Sequence, residues 1–79
     1  MEIIRTLISR DKQWRGEIVR RDSRTFGFRV YRWHEEEIVG GHWDMQGGLS
    51  EAVTPSAEDA ERELRARIPE LADANPAAV

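Results

Sequence analysis

The residues that could form a catalytic or metal site lie close together in the segment YRWHEEEIVGGHW, residues 31–43. This segment contains both histidines of the chain, two of its three tryptophans and three consecutive glutamates. Imidazole and carboxylate groups bind zinc, and carboxylates with different pKa values can act as a general acid and a general base. The residue types therefore suit a metal site or a hydrolytic site, and their spacing decides whether they converge.

The spacing argues against a metal site. A hairpin that turns at Gly40 and Gly41 places His34 and His42 about 15 Å apart at ~3.4 Å per residue. One zinc ion, with bonds of about 2.0 Å to nitrogen, cannot bridge that distance. A turn centred on Ile38 would instead set the two histidines opposite each other. Because no HExxH or HxH motif is present, we predict no metal ligands and no cofactor.

Enzymatic chemistry is not indicated by the remaining motifs. Glu35, Glu36 and Glu37 would share one exposed turn, whereas acid–base pairs need environments that separate their pKa values. No serine lies in a nucleophile elbow, and no phosphate-binding or dinucleotide-binding glycine motif is present. A domain of this size also has little room for a deep pocket. We therefore predict no catalytic residues and no enzyme.

Composition predicts one small folded domain of 79 residues, with 39% hydrophobic and 34% charged residues and no cysteine. No apolar run is long enough to span a membrane, and the first ten residues become charged too early for a secretory signal. The expected location is the cytoplasm, without membrane association.

Two strands and their register can be derived from GEIVRR and TFGFRVYRW, which are rich in β-branched and aromatic residues. A loop of residues 22–24 between them sets Ile18 opposite Phe28 on one face and Glu17 opposite Arg29 on the other. A shift of one residue would place Glu17 among the apolar side chains, where burial of its charge is unfavourable. The first register is therefore predicted.

The segment TPSAEDAERELRARIPEL predicts a C-terminal helix that Ser56 caps and Pro69 ends. Residues 2–10 are predicted to form a strand, although their apolar spacing also suits a helix. Residues 38–54 fit one or two irregular strands whose pairing stays open. The expected core residues are Ile4, Leu7, Ile18, Phe26, Phe28, Val30, Val53, Ala60, Leu64 and Ile68.

The predicted fold class is α+β: an antiparallel meander sheet of three or four strands with one C-terminal helix packed on one face, in the order ββββα or βββα. The domain is expected to span residues 1–72, and residues 73–79 are expected to form a disordered tail, since DANPAAV lacks periodicity.

The segments FGFRVYRW, GGHW and SEAVTPSAEDAERELRARIPEL together resemble a group of small bacterial proteins of unassigned function. These proteins share a DGTFGF-type hairpin, an acidic loop, a tryptophan and a helix of the pattern S-x-x-x-A-x-x-x-A-R-x-R-I-P. This chain has DSRTFGF where a glycine turn is usual. The resemblance implies the sheet-then-helix fold and carries no activity.

A binding face is predicted from the geometry of the sheet, because a single helix can cover only one side of it. The other side would carry Arg15, Arg29, Tyr31 and Trp33, with Val19 also turned towards solvent, and arginine, tyrosine and tryptophan dominate binding hot spots. We expect a small binding or regulatory protein that interacts with an unknown protein partner or forms a weak homodimer. The alternative interpretation is that Trp33 or Trp43 folds over the sheet edge and completes a second small core.

Single-stranded nucleic acid is an alternative partner, because arginine and aromatic side chains on a sheet can stack with bases. Residues 1–33 carry nine basic and four acidic side chains, a charge of +5, whereas residues 34–79 carry three and eleven, a charge of −8. The two halves of the chain can also neutralise each other in the fold. Glu17 would lie within the arginines of the predicted face, which disfavours the binding of phosphates.

Overall fold

Four antiparallel strands follow one another in sequence and in space in the computed structural model, which describes residues 2–50 and 52–76. The strands are β1 (Glu2–Ile8), β2 (Trp14–Arg20), β3 (Phe26–Glu36) and β4 (Gly40–Met45), and the sheet order is β1-β2-β3-β4. A 3-10 turn at Gly47–Leu49, helix α1 at Ala57–Arg67 and a second 3-10 turn at Pro69–Leu71 follow. The predicted α+β meander with a C-terminal helix is confirmed, in its ββββα form.

The register between β2 and β3 agrees with the sequence prediction. Ile18 pairs with Phe28, and Glu17 pairs with Arg29. The loop that sets this register is held by Asp22, whose Oδ1 accepts the backbone N–H groups of Arg24 and Thr25, each at 2.8 Å. These bonds favour the charged carboxylate, so the pKa of Asp22 lies below its ordinary value.

Helix α1 begins as predicted, because the Ser56 side-chain oxygen accepts the backbone N–H of Asp59 at 3.1 Å. Its buried residues, Ala60 and Leu64, face the sheet. A Cβ atom on Gly16 of β2 would lie 2.5 Å from a methyl carbon of Leu64. Glycine at this position therefore lets the helix pack directly against the backbone of the sheet.

The core joins one face of the sheet to α1 and to the segment after it, and three of its predicted members are not fully buried. Its buried residues are Leu7, Ile18, Phe28, Val30, Ala52, Ala60, Leu64, Ile68, Leu71 and Ala74. Val53 was predicted to be buried but is 68% exposed. The reason is that Thr54 bridges to Phe26, so the alternation of the chain turns Ala52 inward and Val53 outward. Ile4 and Phe26 are only partly buried.

The chain keeps native contacts beyond the domain boundary predicted at residue 72. Ala74 is 4% exposed within the core, and Pro76 forms a bridge with Leu7 of β1. Arg65 of α1 holds the 3-10 turn that follows the helix, since its Nη1 donates to the carbonyl oxygen of Leu71 at 2.9 Å. The packed part of the chain therefore extends at least to residue 76, and residues 77–79 lie outside the described residues.

None of the helices in the described residues has the length and apolar character needed to cross a bilayer.

The first strand, whose sequence also suited a helix, is part of the sheet and pairs with β2 along its length, with a shift between Ile3 and Arg5. A guanidinium–carboxylate pair joins Arg5 to Glu61 and fixes α1 against this strand. The helix therefore lies across β1 to β3 on one side only.

Candidate binding surface on the sheet

The face of the sheet opposite α1, which we call the outer face, carries the four residues predicted from the sequence. Arg15 pairs with Tyr31, and Arg29 and Trp33 follow the same alternation on β3. These side chains point away from the core residues Ile18, Phe28 and Val30. The outer face divides into a closed end, a central ion cluster and a partly open aromatic end.

The closed end surrounds Gly27. A Cβ atom at Gly27 would collide with the Arg21 guanidinium and with the carbonyl oxygen of Ala52. Arg21 donates to that oxygen at 3.2 Å and to the carbonyl oxygen of Ser50 at 3.1 Å. Val19, the cross-strand neighbour of Gly27, is fully buried. The prediction that Val19 faces solvent is therefore wrong, because the chain after β4 and Arg21 close this end of the face.

The central cluster, which we call the ion triad, consists of Arg15, Glu17 and Arg29. Glu17 is only 3% exposed, and its two carboxylate oxygens lie 2.6 Å from Arg15 Nη2 and 2.8 Å from Arg29 Nη2. A charge this deeply buried is strongly unfavourable unless it is paired. Both arginines are therefore committed to Glu17, and the triad carries a net charge of +1.

Tyr31 borders the ion triad on the side of the open end. The Arg15 guanidinium carbon lies 5.6 Å from the centre of the Tyr31 ring, which is within the range of a cation–π contact. Burial raises the pKa of Tyr31 above its ordinary value, and the negative charge of Glu17 raises it further. The phenol is thus neutral and serves as a hydrogen-bonding and apolar group rather than as an acid.

The open end, which we call the aromatic patch, consists of Tyr31, Trp33, Trp43 and Met45. The register places Trp33 opposite Trp43 and Tyr31 opposite Met45. The two indole rings meet edge to face, with centroids 5.2 Å apart and planes inclined at 72°. The aromatic side chains are partly buried, whereas Met45 is 51% exposed.

A cavity of about 360 Å³ opens beside the two indoles and is bordered by Lys12, Gln13 and Glu35. Trp33 lies across Gly41, because a Cβ atom at Gly41 would overlap the Trp33 ring, and its Nε1 donates to Glu35 Oε1 at 3.2 Å. Trp33 thus folds toward β4, as the alternative interpretation proposed, but it stays partly exposed beside an open cavity.

The two histidines face each other, contrary to the pairing favoured from the sequence. His34 pairs with His42, and their ring centroids are 5.4 Å apart. The turn that was predicted at Gly40 and Gly41 lies instead at residues 37–39, centred on Ile38. Gly40 follows this loop with φ of +79°, a left-handed conformation that glycine adopts without strain. The prediction that the histidines lie about 15 Å apart is therefore wrong.

Each of the paired histidines lies next to a carboxylate of its own strand. His42 Nε2 lies 2.9 Å from Asp44 Oδ1, and His34 Nε2 lies 3.6 Å from Glu36 Oε1. Within residues 2–50 and 52–76, no three histidine or carboxylate side chains are grouped so that they could hold a metal ion.

Trp43 and Met45 were not assigned to the surface from the sequence, because their pairing with β3 was left open. The signal that could have placed them is Gly40, since a three-residue loop that ends before a left-handed glycine pairs Trp33 with Trp43. No protein family, curated protein or solved structure is found to match the chain. The resemblance to small bacterial proteins stays a prediction.

Proposed function

We propose that this chain is a small cytoplasmic binding or regulatory protein without catalytic activity, and that it holds a protein partner on the aromatic patch. The observation that carries this proposal is the convergence of Tyr31, Trp33, Trp43 and Met45 at the end of the outer face that residues 2–50 and 52–76 leave open. Tyrosine and tryptophan contribute most of the binding energy in many protein interfaces, and methionine adapts to irregular apolar surfaces.

The chemistry of the patch suits an extended segment with an aromatic or branched aliphatic side chain. The cavity beside Trp33 and Trp43 offers about 360 Å³, which is enough for one or two such side chains. Lys12 and Glu35 border this cavity with opposite charges. An apolar centre with a polar border is the usual anatomy of a protein interface.

A protein partner fits the surface better than single-stranded nucleic acid does. Both arginines of the predicted face, Arg15 and Arg29, are paired with the buried Glu17, so they are not free to bind phosphates. Carboxylates at positions 35–37 also follow Trp33 at the exposed end of the hairpin and would repel a phosphate backbone. If the chain instead binds single-stranded nucleic acid, bases should stack on the two indole rings and shift their signals.

The proposal can be tested with a random peptide library and labelled protein. Peptides are selected on the immobilised chain, and the best binder is added to the ¹⁵N-labelled chain in solution. We expect enrichment of sequences with aromatic or aliphatic residues and shifts of the Trp33 and Trp43 indole signals. Trp14 lies on the opposite face, packed against the core, so its signal serves as an internal control.

Two matched variants locate the binding surface. Met45→Lys adds a charge to the aromatic patch, whereas Ala66→Lys adds the same charge to an exposed position on α1. We expect the first to weaken peptide binding by about tenfold or more and the second to leave it unchanged. Equal effects of the two variants, or shifts caused by mixed single-stranded RNA in place of peptide, would overturn the proposal.

A further inference from the structure

The two edges of the sheet differ in how they are protected from pairing with another strand. On β1 the register shifts between Ile3 and Arg5, and Pro76 lies against Leu7. Irregular pairing and proline are both common means of blocking an edge. Within the part of the chain that the structure describes, β4 has neither feature, and no strand pairs with its outer side. The edge of β4 is therefore free to accept a strand.

The direction of the backbone groups on β4 follows from the bonding of its neighbour. The N–H of Trp33 donates to the carbonyl oxygen of Gln13 at 2.8 Å, away from β4. Trp33 and Trp43 are thus a non-hydrogen-bonded pair of the ladder, so the N–H and C=O of Trp43 point out of the sheet. By alternation, the same groups of Gly41 and Met45 point outward too.

The sequence of this edge is complementary to itself. Around Trp43, the strand reads Gly41, His42, Trp43, Asp44 and Met45. A second copy placed antiparallel, with Trp43 opposite its own equivalent, sets each His42 opposite an Asp44. The same axis sets each Gly41 opposite a Met45, so a residue without a side chain meets a large one.

Other positions of the axis lose this complementarity. An axis at His42 places two histidines opposite each other, and an axis at Asp44 places two carboxylates opposite each other. Two carboxylates directly opposite each other on a pair of strands are unfavourable, and two imidazoles opposite each other lack the imidazole–carboxylate hydrogen bond that the axis at Trp43 allows. Axes at His42, Trp43 and Asp44 all bring outward N–H and C=O groups opposite each other, so the side chains select the axis at Trp43.

We propose that two copies of this chain pair through β4 about a two-fold axis at Trp43 and form one continuous sheet. This inference goes beyond the binding of a partner on the aromatic patch, because it concerns the strand edge. Gly41, Trp43 and Met45 of each copy exchange backbone hydrogen bonds with the other. His42 and Asp44, whose side chains are 45% and 51% exposed, meet Asp44 and His42 of the second copy.

The pairing also brings the two aromatic patches together. Met45 of the second copy comes beside Gly41, over which the ring of Trp33 lies. Contact of a thioether with the edge of an aromatic ring is favourable. The two Trp43 side chains become neighbours on the outer face, and the patch becomes one surface with two-fold symmetry. The contact is only one strand wide, so the dimer is weak and depends on concentration.

Amide hydrogen exchange of the wild-type chain over a range of concentrations tests the proposed register. The amides of Gly41, Trp43 and Met45 should exchange more slowly as concentration rises, whereas those of His42 and Asp44, which point toward β3, should not change. When about nine in ten chains are dimeric, the slowing is about tenfold, because exchange occurs from the monomer. Uniform rates at all concentrations, or slowing confined to β1, would contradict the proposal.

Substitutions that change the charges facing each other across the axis provide a second, independent test, in which sedimentation measures dimerisation. His42→Glu places a carboxylate opposite each Asp44 across the axis, and Asp44→Lys replaces the carboxylate opposite each His42 by an ammonium group. Each variant alone should dimerise about tenfold more weakly than the wild type. An equimolar mixture of the two should recover the dimer, because Glu then faces Lys and Asp44 faces His42.

The outcomes distinguish failure of the proposed dimer through β4 from failure of the proposed binding function of the aromatic patch. If the mixture stays monomeric while both variants keep the wild-type circular dichroism spectrum, pairing through β4 is refuted. If a variant fails to fold, the exchange rates of the wild-type amides decide alone. A chain that stays monomeric but still binds the selected peptide at Trp33 loses the proposed dimer and keeps the proposed function.

Discussion

Replacing Glu17 by glutamine tests the ion triad that forms the centre of the outer face. The substitution keeps the shape of the side chain and removes its charge, so Arg15 and Arg29 lose their anionic partner. Glu17 is almost fully buried, and the two arginines are 32% and 27% exposed at the side chain. Water can therefore solvate the arginines in part but cannot reach the carboxylate.

The expected cost follows from the two contacts. A hydrogen bond to a charged group contributes about 1.5–3 kcal/mol; the triad has one such bond, from Arg15 at 2.6 Å, and a second ion pair, with Arg29 at 2.8 Å. The amide retains part of this interaction, and the partial exposure of the arginines reduces the loss. We expect a decrease of about 2 kcal/mol in the free energy of unfolding, and a decrease of about 10 °C in Tm for a domain of this size.

Urea denaturation followed by tryptophan fluorescence measures this loss. The matched control is Glu63→Gln on α1, where the carboxylate is 42% exposed and lies 2.9 Å from Arg67. That exposed pair should cost about 0.3–0.5 kcal/mol. If Glu17→Gln is no more destabilising than Glu63→Gln, the triad does not stabilise the fold and the reasoning fails.

An alkaline titration of Glu17→Gln provides a second test of the ion triad, because the tyrosinate absorbance comes from Tyr31, the one tyrosine of the chain. Its pKa is raised first by burial and then by the charge of Glu17. Glu17→Gln removes the second cause and keeps the first, so the pKa of Tyr31 should fall toward its ordinary value. An unchanged titration curve for tyrosinate absorbance would show that Glu17 does not act on the phenol.

Three further substitutions test how the sheet and the helix are held together. Gly16→Ala should destabilise the fold by about 1–3 kcal/mol in thermal denaturation, because its methyl group overlaps Leu64, and an unchanged Tm would contradict the packing. Ser56→Ala should cost about 1 kcal/mol in urea through loss of the helix cap, and no change in the midpoint would show that the cap is not needed. Burial alone would raise the pKa of Glu61, but hydrogen bonds and charges from Arg5 and a second arginine lower it below its ordinary value of 4.5. The stability that this carboxylate adds is present above pH 4.5 and is lost as the pH falls through the lowered pKa. Glu61→Gln should therefore lose less stability than the wild type on acidification. Parallel stability–pH profiles of the two proteins would contradict this.

The fold could be predicted where one feature of the sequence excluded the competing arrangement. Between β2 and β3, a shift of one residue would have buried Glu17 in the core, and the actual register places it in an ion triad instead. Between β3 and β4 no such conflict existed. The glycines at positions 40–41 and 47–48 allowed several turns, and both faces of β4 are largely exposed. Burial therefore could not select the pairing.

The candidate surface was predicted in part for the same reason. Arg15, Arg29, Tyr31 and Trp33 could be placed on one face because their strands have a fixed register. Trp43 could not be placed, since its position depends on the turn before it. The closure of the face at Val19 depends on Arg21 reaching carbonyl groups about thirty residues away, and no local pattern encodes such a contact.

The indole N–H signals of the three tryptophans test the central claim most directly, because they report on both faces of the sheet in one spectrum. On addition of a peptide selected for binding, we predict that the signals of Trp33 and Trp43 shift while that of Trp14 stays in place. A shift of Trp14 alone, or no shift of any indole at saturating peptide, would contradict the assignment of the aromatic patch as the binding surface.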